Sequence, residues 1–101
     1  MIVPASPYAT ALLHSVEFSE TIQGRRQRRC WVRLVNGITA AGTLSSFDTA
    51  AARAEGYVQG LVDGEQLSTL DTDRDYLIIS TLTEWRAHLA ANFQCSAPVS
   101  R

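Results

Sequence analysis

Two short runs of strand-forming residues, Arg-Cys-Trp-Val-Arg-Leu-Val at 29–35 and Ile-Thr-Ala-Ala-Gly-Thr-Leu at 38–44, meet at the pair Asn36-Gly37. No other local signal in the chain restricts its fold as sharply, because Asn-Gly supplies the positive φ that a tight hairpin needs. The spacing predicts a β-hairpin, and the distribution of side chains sets its register. A two-residue loop puts Arg29, Trp31 and Arg33 on the same face as Ile38, Ala40 and Leu44. A three-residue loop over 35–37 pairs Leu34 with Ile38 instead. Cys30, Val32, Leu34, Ile38, Ala40, Gly42 and Leu44 then form one apolar face, and Arg29, Trp31, Arg33, Thr39, Ala41 and Thr43 the other. A one-residue slip exchanges the faces of a strand, so clean segregation selects the three-residue loop, with Gly37 at a left-handed bulge position.

The flanking segments complete the expectation. Residues 1–7, with Pro4 and Pro7, read as an irregular lead-in, and 8–14 as a short helix with Ala9, Leu12 and Leu13 inward. Val16, Phe18 and Glu20 alternate with Ser15, Glu17 and Ser19, which predicts a strand over 14–22, and 23–27 reads as a polar connection. Beyond the hairpin the period changes. Ala50, Ala54, Tyr57, Val58, Leu61 and Val62 recur at helical spacing, with Ser46 or Asp48 as cap and Gly64 at the stop. Gly56 and Gly60 each cost such a helix about 1 kcal/mol relative to Ala. A second helix is predicted over about 72–93, with Thr72 as cap and Tyr76, Ile79, Leu82, Trp85, Leu89 and Phe93 along one stripe; its start, Asp-Tyr-Leu-Ile-Ile-Ser, also has strand character. The expected fold is α+β: a small antiparallel sheet packed by two C-terminal helices, in a single domain of residues 1–101.

An apolar fraction of 46% and a charged fraction of 19% suit an ordinary globule, and no apolar run is long enough to span a bilayer. The opening Met-Ile-Val-Pro-Ala-Ser-Pro lacks the features of a signal peptide, which points to the cytoplasm and to a bacterial or phage source. Cys30 and Cys95 have neither metal-type spacing nor a disulfide framework. The chain has no glycine-rich phosphate loop, no nucleophile elbow and no paired-histidine metal motif, and His14 and His88 lack a third ligand. Asp71, Asp73 and Asp75 copy the opening of a calcium loop, but the required Gly and Glu positions hold Tyr76 and Leu82. The calcium reading fails, and carboxylates at a helix start are better explained by the helix dipole. We therefore expect no catalytic residue, metal or cofactor.

What remains is charge. Residues 1–45 carry five Arg against Glu17 and Glu20, a surplus of three; residues 46–101 carry four Arg against eight carboxylates, a deficit of four; together they give the net −1. Every basic residue is Arg, as a GC-rich genome would produce, or as selection for planar, bidentate donors would. In the favoured register Arg29, Trp31 and Arg33 point outward beside Arg25, Arg26 and Arg28. Guanidinium forks match phosphates or carboxylates, and an indole can stack on a base. The same arginines could equally pair with the chain's own acidic helices or those of another subunit, with Trp31 covered by the N-terminal segment.

Residues 34–48, Leu-Val-Asn-Gly-Ile-Thr-Ala-Ala-Gly-Thr-Leu-Ser-Ser-Phe-Asp, resemble the first motif of the Sm/Hfq family of RNA-binding barrels. Arg-Arg-Gln-Arg at 25–28 is similar to that family's arginine-rich rim, Pro7–Leu12 to its N-terminal helix, and Ile79-Ser80-Thr81 to its last strand. The resemblance implies an Sm-like β-barrel in a ring-shaped homo-oligomer that handles RNA without metal or catalysis. Arg25, Arg26 and Arg28 would form the rim, and Gly37 and Ile38 would lie on the distal face. The chain departs from the pattern after Asp48, where Thr49 and Ala50 to Ala52 open a helix, and at Tyr76-Leu77, where the family carries Lys-His.

The leading expectation is a non-enzymatic binding or adaptor module of the cytoplasm, in the style of a phage or mobile-element accessory protein. An anti-CRISPR-like protein acting on a host nucleic-acid machine is one example. Arg25, Arg26, Arg28, Arg29, Trp31 and Arg33 would contact an acidic protein surface or nucleic acid, with no membrane partner and with homo-oligomerisation expected. A variant of this reading lets the acidic second half, including Asp71, Asp73 and Asp75, mimic nucleic acid. The alternative is the Sm/Hfq-like ring.

Overall fold

Residues 22–39 form one continuous α-helix rather than part of a hairpin. The computed structural model describes residues 7–65, 67 and 71–96, with side chains to residue 91, and among them there is no strand. Four helices follow one another: α1 (Pro7–Ser15), α2 (Ile22–Thr39), α3 (Leu44–Asp63) and α4 (Thr72–Ser96). The expected α+β fold is corrected to an all-helical one, and the alternative Sm-like β-barrel is corrected with it. Residues 34–48 span the end of α2, a short turn and the start of α3.

The physical reason lies in two competing periods. Within α2 the alternation that suggested the first strand covers only Cys30 to Leu34. Gly24, Trp31, Val35 and Ile38 recur over fifteen residues at helical spacing, and all four are buried. Arg, Gln and Leu are strong helix formers, and Thr21 caps the start by accepting the Gly24 N–H at 3.0 Å. Asn36-Gly37 sits in the last turn, where no described glycine takes a positive φ, so the left-handed geometry of the hairpin turn is not adopted. The Ala40 N–H closes the helix on the Asn36 carbonyl at 3.0 Å. The strand expected over 14–22 is also absent: His14 and Ser15 end α1, and Val16 to Thr21 cross irregularly to α2.

The other helices follow the sequence more closely. In α1, Ala9 and Leu12 are buried and Leu13 is half-buried, as its spacing predicts. Thr43 and Ser46 form a reciprocal capping box on α3, each backbone N–H donating to the other's hydroxyl at 3.1 and 3.0 Å. Ser46 thus supports the cap instead of being it, while Gly64 closes the helix as expected. On α4 the cap is Asp71, whose Oδ1 accepts the Arg74 N–H at 3.0 Å, in place of Thr72. Leu82 and Trp85 face inward, but Tyr76 and Ile79 are 71% and 57% exposed, and Arg74 and Ile78 take the inner positions. Four apolar residues in a row, Tyr76 to Ile79, leave the phase of this first turn undetermined by pattern. The Phe93 side chain lies outside the described residues.

Packing is cyclic. α1 lies against α2 and α4, α3 lies against α2 and α4, and among the described residues α2 and α4 do not meet. The centre is built from Leu12, Trp31, Val35, Ile38 and Phe47, each 1% exposed or less. Tyr8 stacks on Trp85 with centroids 5.9 Å apart, and Phe47 meets the same indole edge-on at 5.5 Å, which ties α1, α3 and α4 together. None of the described helices is long and apolar enough to cross a membrane.

On the surface, Arg86 grips Asp48 with both prongs: Nε donates to Oδ1 at 2.7 Å and Nη2 to Oδ2 at 3.1 Å, bridging α3 and α4. The guanidinium hydrogen bond holds the Asp48 carboxyl below its ordinary value of 3.8. A carboxyl depressed in the folded state stabilises the fold above that ordinary value and loses its contribution as pH falls through the lowered one. Asp48→Asn should therefore flatten part of the acid limb of the stability curve below pH 3.8. Urea midpoints measured against pH check this; an unchanged acid limb would show that the bridge contributes nothing.

Candidate interaction surface on helix α2

The five arginines of the first half lie on one side of α2, and all five are exposed. At about 100° per residue, Arg25, Arg29, Arg33 and Arg26 fall within an arc of roughly 100°, and Arg28 widens it to roughly 160°. The buried stripe of Gly24, Trp31, Val35 and Ile38 occupies the other side. Arg25 to Arg33 extends about 12 Å along the axis. The sequence thus grouped the arginines on a common surface through a wrong secondary structure: a strand placed Arg29 and Arg33 together, and a helix does so at i and i+4.

Trp31 is the correction. It is 1% exposed, and its Nε1–H donates to the Leu12 carbonyl at 2.9 Å, so the N-terminal helix covers it and it cannot stack on a partner. Leu12 belongs to the last turn of α1, where carbonyls lack intrahelical donors; the indole and the Ser15 hydroxyl, at 2.7 Å, both satisfy it.

Among the described residues the five guanidinium groups make no ion pair and no side-chain hydrogen bond; the ion pairs that form belong to Arg74 and Arg86. This arrangement works against the helix. Arg25 and Arg29, and Arg29 and Arg33, are like charges at i and i+4, each pair destabilising by about 0.2–0.5 kcal/mol. No acidic residue occupies the first turn of α2, where the dipole favours one, and Arg25 follows directly after that turn. Beside the arginines runs a shallow concavity of about 400 Å³ lined by Arg28, Arg29, Val32, Arg33 and Asn36. Arg28 and Val32 also line a second concavity of about 630 Å³, walled by α1 and the segment that follows it, with Glu17 and Glu20 on its margin.

The acidic residues of the second half are differently employed. Arg74, 3% exposed, is held by Asp75 through Nε at 3.1 Å and lies 4.0 Å from Asp71. Its Nη2 is 3.1 Å from the same Asp75 oxygen but off the line of a hydrogen bond. Asp71 and Asp75 thus serve a buried cation and a helix cap, which leaves Asp73 as the one of the three carboxylates without such a partner among the described residues. Sequence reading missed the inward Arg74; the Asp-x-Asp-Arg-Asp run around it is the signal that could have revealed it. No group of three or more His, Cys, Asp or Glu side chains among the described residues is placed to hold a metal.

On the inner side of α2, the Tyr57 hydroxyl donates to the Gln27 carbonyl at 3.4 Å. Burial, and Cys30 nearby, push its phenol up. That contact fixes α3 to α2 away from the arginine face. No protein family, curated protein or solved structure matches this chain.

Proposed function

We propose that this chain is a non-enzymatic binding module whose α2 arginines dock on an acidic protein surface. One observation carries the reading: five exposed guanidinium groups share a helix face, lack internal partners among the described residues and repel one another, in a chain with ten carboxylates. A face that lowers the stability of its own helix is explained by what it binds. An acidic protein is favoured over nucleic acid on two grounds. With Trp31 inside, the concavity beside Arg28, Arg29 and Arg33 has no aromatic lining among the described residues to stack on bases, and the excess of carboxylates elsewhere opposes long-range attraction of a polyanion. Such a role suits a small cytoplasmic adaptor or inhibitor, including an accessory protein of a phage or mobile element that acts on a host nucleic-acid machine.

The test replaces Arg25, Arg26, Arg28 and Arg29 with Ala together. Binding of a labelled polyglutamate peptide should weaken as salt is added and vanish in the variant, while the thermal midpoint stays nearly unchanged. Unaltered binding would remove the face from consideration, loss of folding would assign the arginines to structure, and tighter binding of an oligonucleotide than of polyglutamate would transfer the reading to nucleic acid.

A further inference from the structure

The molecule carries a second exposed surface, and its chemistry is the complement of the first. Between α3 and α4 lies a groove of about 180 Å³ with Val58, Ile78 and Ile79 as its apolar lining and Glu55, Gln59 and Asp75 at its polar margin. Glu55 is exposed and makes no ion pair among the described residues, and the Asp75 side chain remains 52% exposed despite its contact with Arg74. Tyr76, Leu77 and Ile79 continue the apolar surface at 71%, 47% and 57% exposure, an unusual density for one turn of a soluble helix.

The arginine face has the matching apolar element. Ile22 is 74% exposed at the start of α2, and Arg25, Arg26 and Arg29 follow it at i+3, i+4 and i+7. That spacing is the one by which a helix lies in a groove. Ile22 would enter the apolar groove while the neighbouring guanidinium groups reach the Glu55 and Asp75 carboxylates. Within one molecule the two surfaces do not engage: among the described residues α2 and α4 share no contact, and none of the α2 arginines pairs with Glu55 or Asp75.

We propose that the groove between α3 and α4 receives the Ile22–Arg29 face of a second copy of this chain. The inference rests on the arginine face being a docking surface, and it names the acidic surface as one the protein itself supplies. The contact is heterologous: each copy gives its α2 face to one neighbour and its groove to another, so assembly continues until a ring closes or proceeds as an open series.

Two half-blocked variants test this. Arg25→Glu with Arg29→Glu disables the face and leaves the groove; Glu55→Arg with Ile79→Arg disables the groove and leaves the face. Light scattering after size exclusion should give the wild type a mass above the monomer that rises with concentration, and each variant a monomer. An equimolar mixture of the two should form a 1:1 dimer of twice the monomer mass, since one intact face meets one intact groove. Circular dichroism establishes that each variant is folded; where the groove variant is not, Glu55→Arg alone at its exposed position replaces it. A monomeric wild type, a mixture that stays monomeric, or variants that assemble unaided would overturn the proposal. A monomeric wild type that still binds polyglutamate through its arginines would overturn self-docking alone and leave the binding reading standing.

Discussion

Trp31→Ala should destabilise the protein by about 3–5 kcal/mol, which is a large part of the stability of a domain of this size. The indole is 1% exposed and stands where α1 crosses α2, among Leu12, Val35 and Ile38. Truncation removes its contacts with the core and leaves a cavity that a bundle cornered by helices refills only in part. It also takes away one of the two donors on the Leu12 carbonyl. Trp31→Phe separates these effects: it keeps much of the apolar bulk and loses the N–H, and should cost less than Trp31→Ala. Chemical denaturation of both variants provides the measurement. A loss below about 1 kcal/mol for Trp31→Ala is what a surface residue would show and would return the indole to the exterior.

Gly24→Ala should destabilise by about 1–3 kcal/mol, against the direction that helix propensity dictates. Alanine is the better helix former by about 1 kcal/mol, so in open space the change would help. At Gly24, however, an added Cβ would collide with the Ser19 carbonyl and the Ser19 hydroxyl. The hydroxyl can rotate away; the carbonyl moves only if the connection into α2 moves. That connection holds Thr21, whose side chain caps α2 and lies 2.6 Å from the Ser19 hydroxyl, so relief of the collision pulls on the cap. Gly56 provides the control. Nothing lies within 4 Å of a Cβ built there, and Gly56→Ala should stabilise by about the propensity difference. Thermal midpoints moving in opposite directions would bear out the close approach; two increases would refute it.

How far the fold can be read from the sequence differs from helix to helix. α3 was legible because its stop and its period agree: Gly64 ends it, and Ala54 and Val58 point inward four residues apart, although its cap is Thr43 and not Ser46 or Asp48. α2 was not, because Cys30, Val32 and Leu34 alternate as a strand would and Asn36-Gly37 carries the composition of a turn. Over five residues the two periods cannot be distinguished; extended back to Gly24 and on to Ile38, the helical one puts Gly24, Trp31, Val35 and Ile38, all apolar or small, at the buried positions. The start of α4 left both its type and its rotation open, since Asp75 to Ser80 also has strand character and four consecutive apolar residues have no preferred side until Arg74 and its two carboxylates fix one. The grouping of the arginines survived the change of secondary structure because i and i+4 share a side in both. Trp31, two residues from Arg29 and from Arg33, did not: in a strand it joins them, whereas in a helix it turns about 200° away from each.

The shortness of α1 has a consequence for the order of folding. A nine-residue helix has almost no stability of its own in water, since nucleation outweighs the few hydrogen bonds it gains. It must therefore wait for partners, and those partners are distant in the chain: the indole of α2 that reaches its last turn, and the α4 ring that stacks on Tyr8. Amide protons of this segment should acquire protection only when the whole assembly does, so the first of the four helices to be synthesised would be among the last to take its final shape.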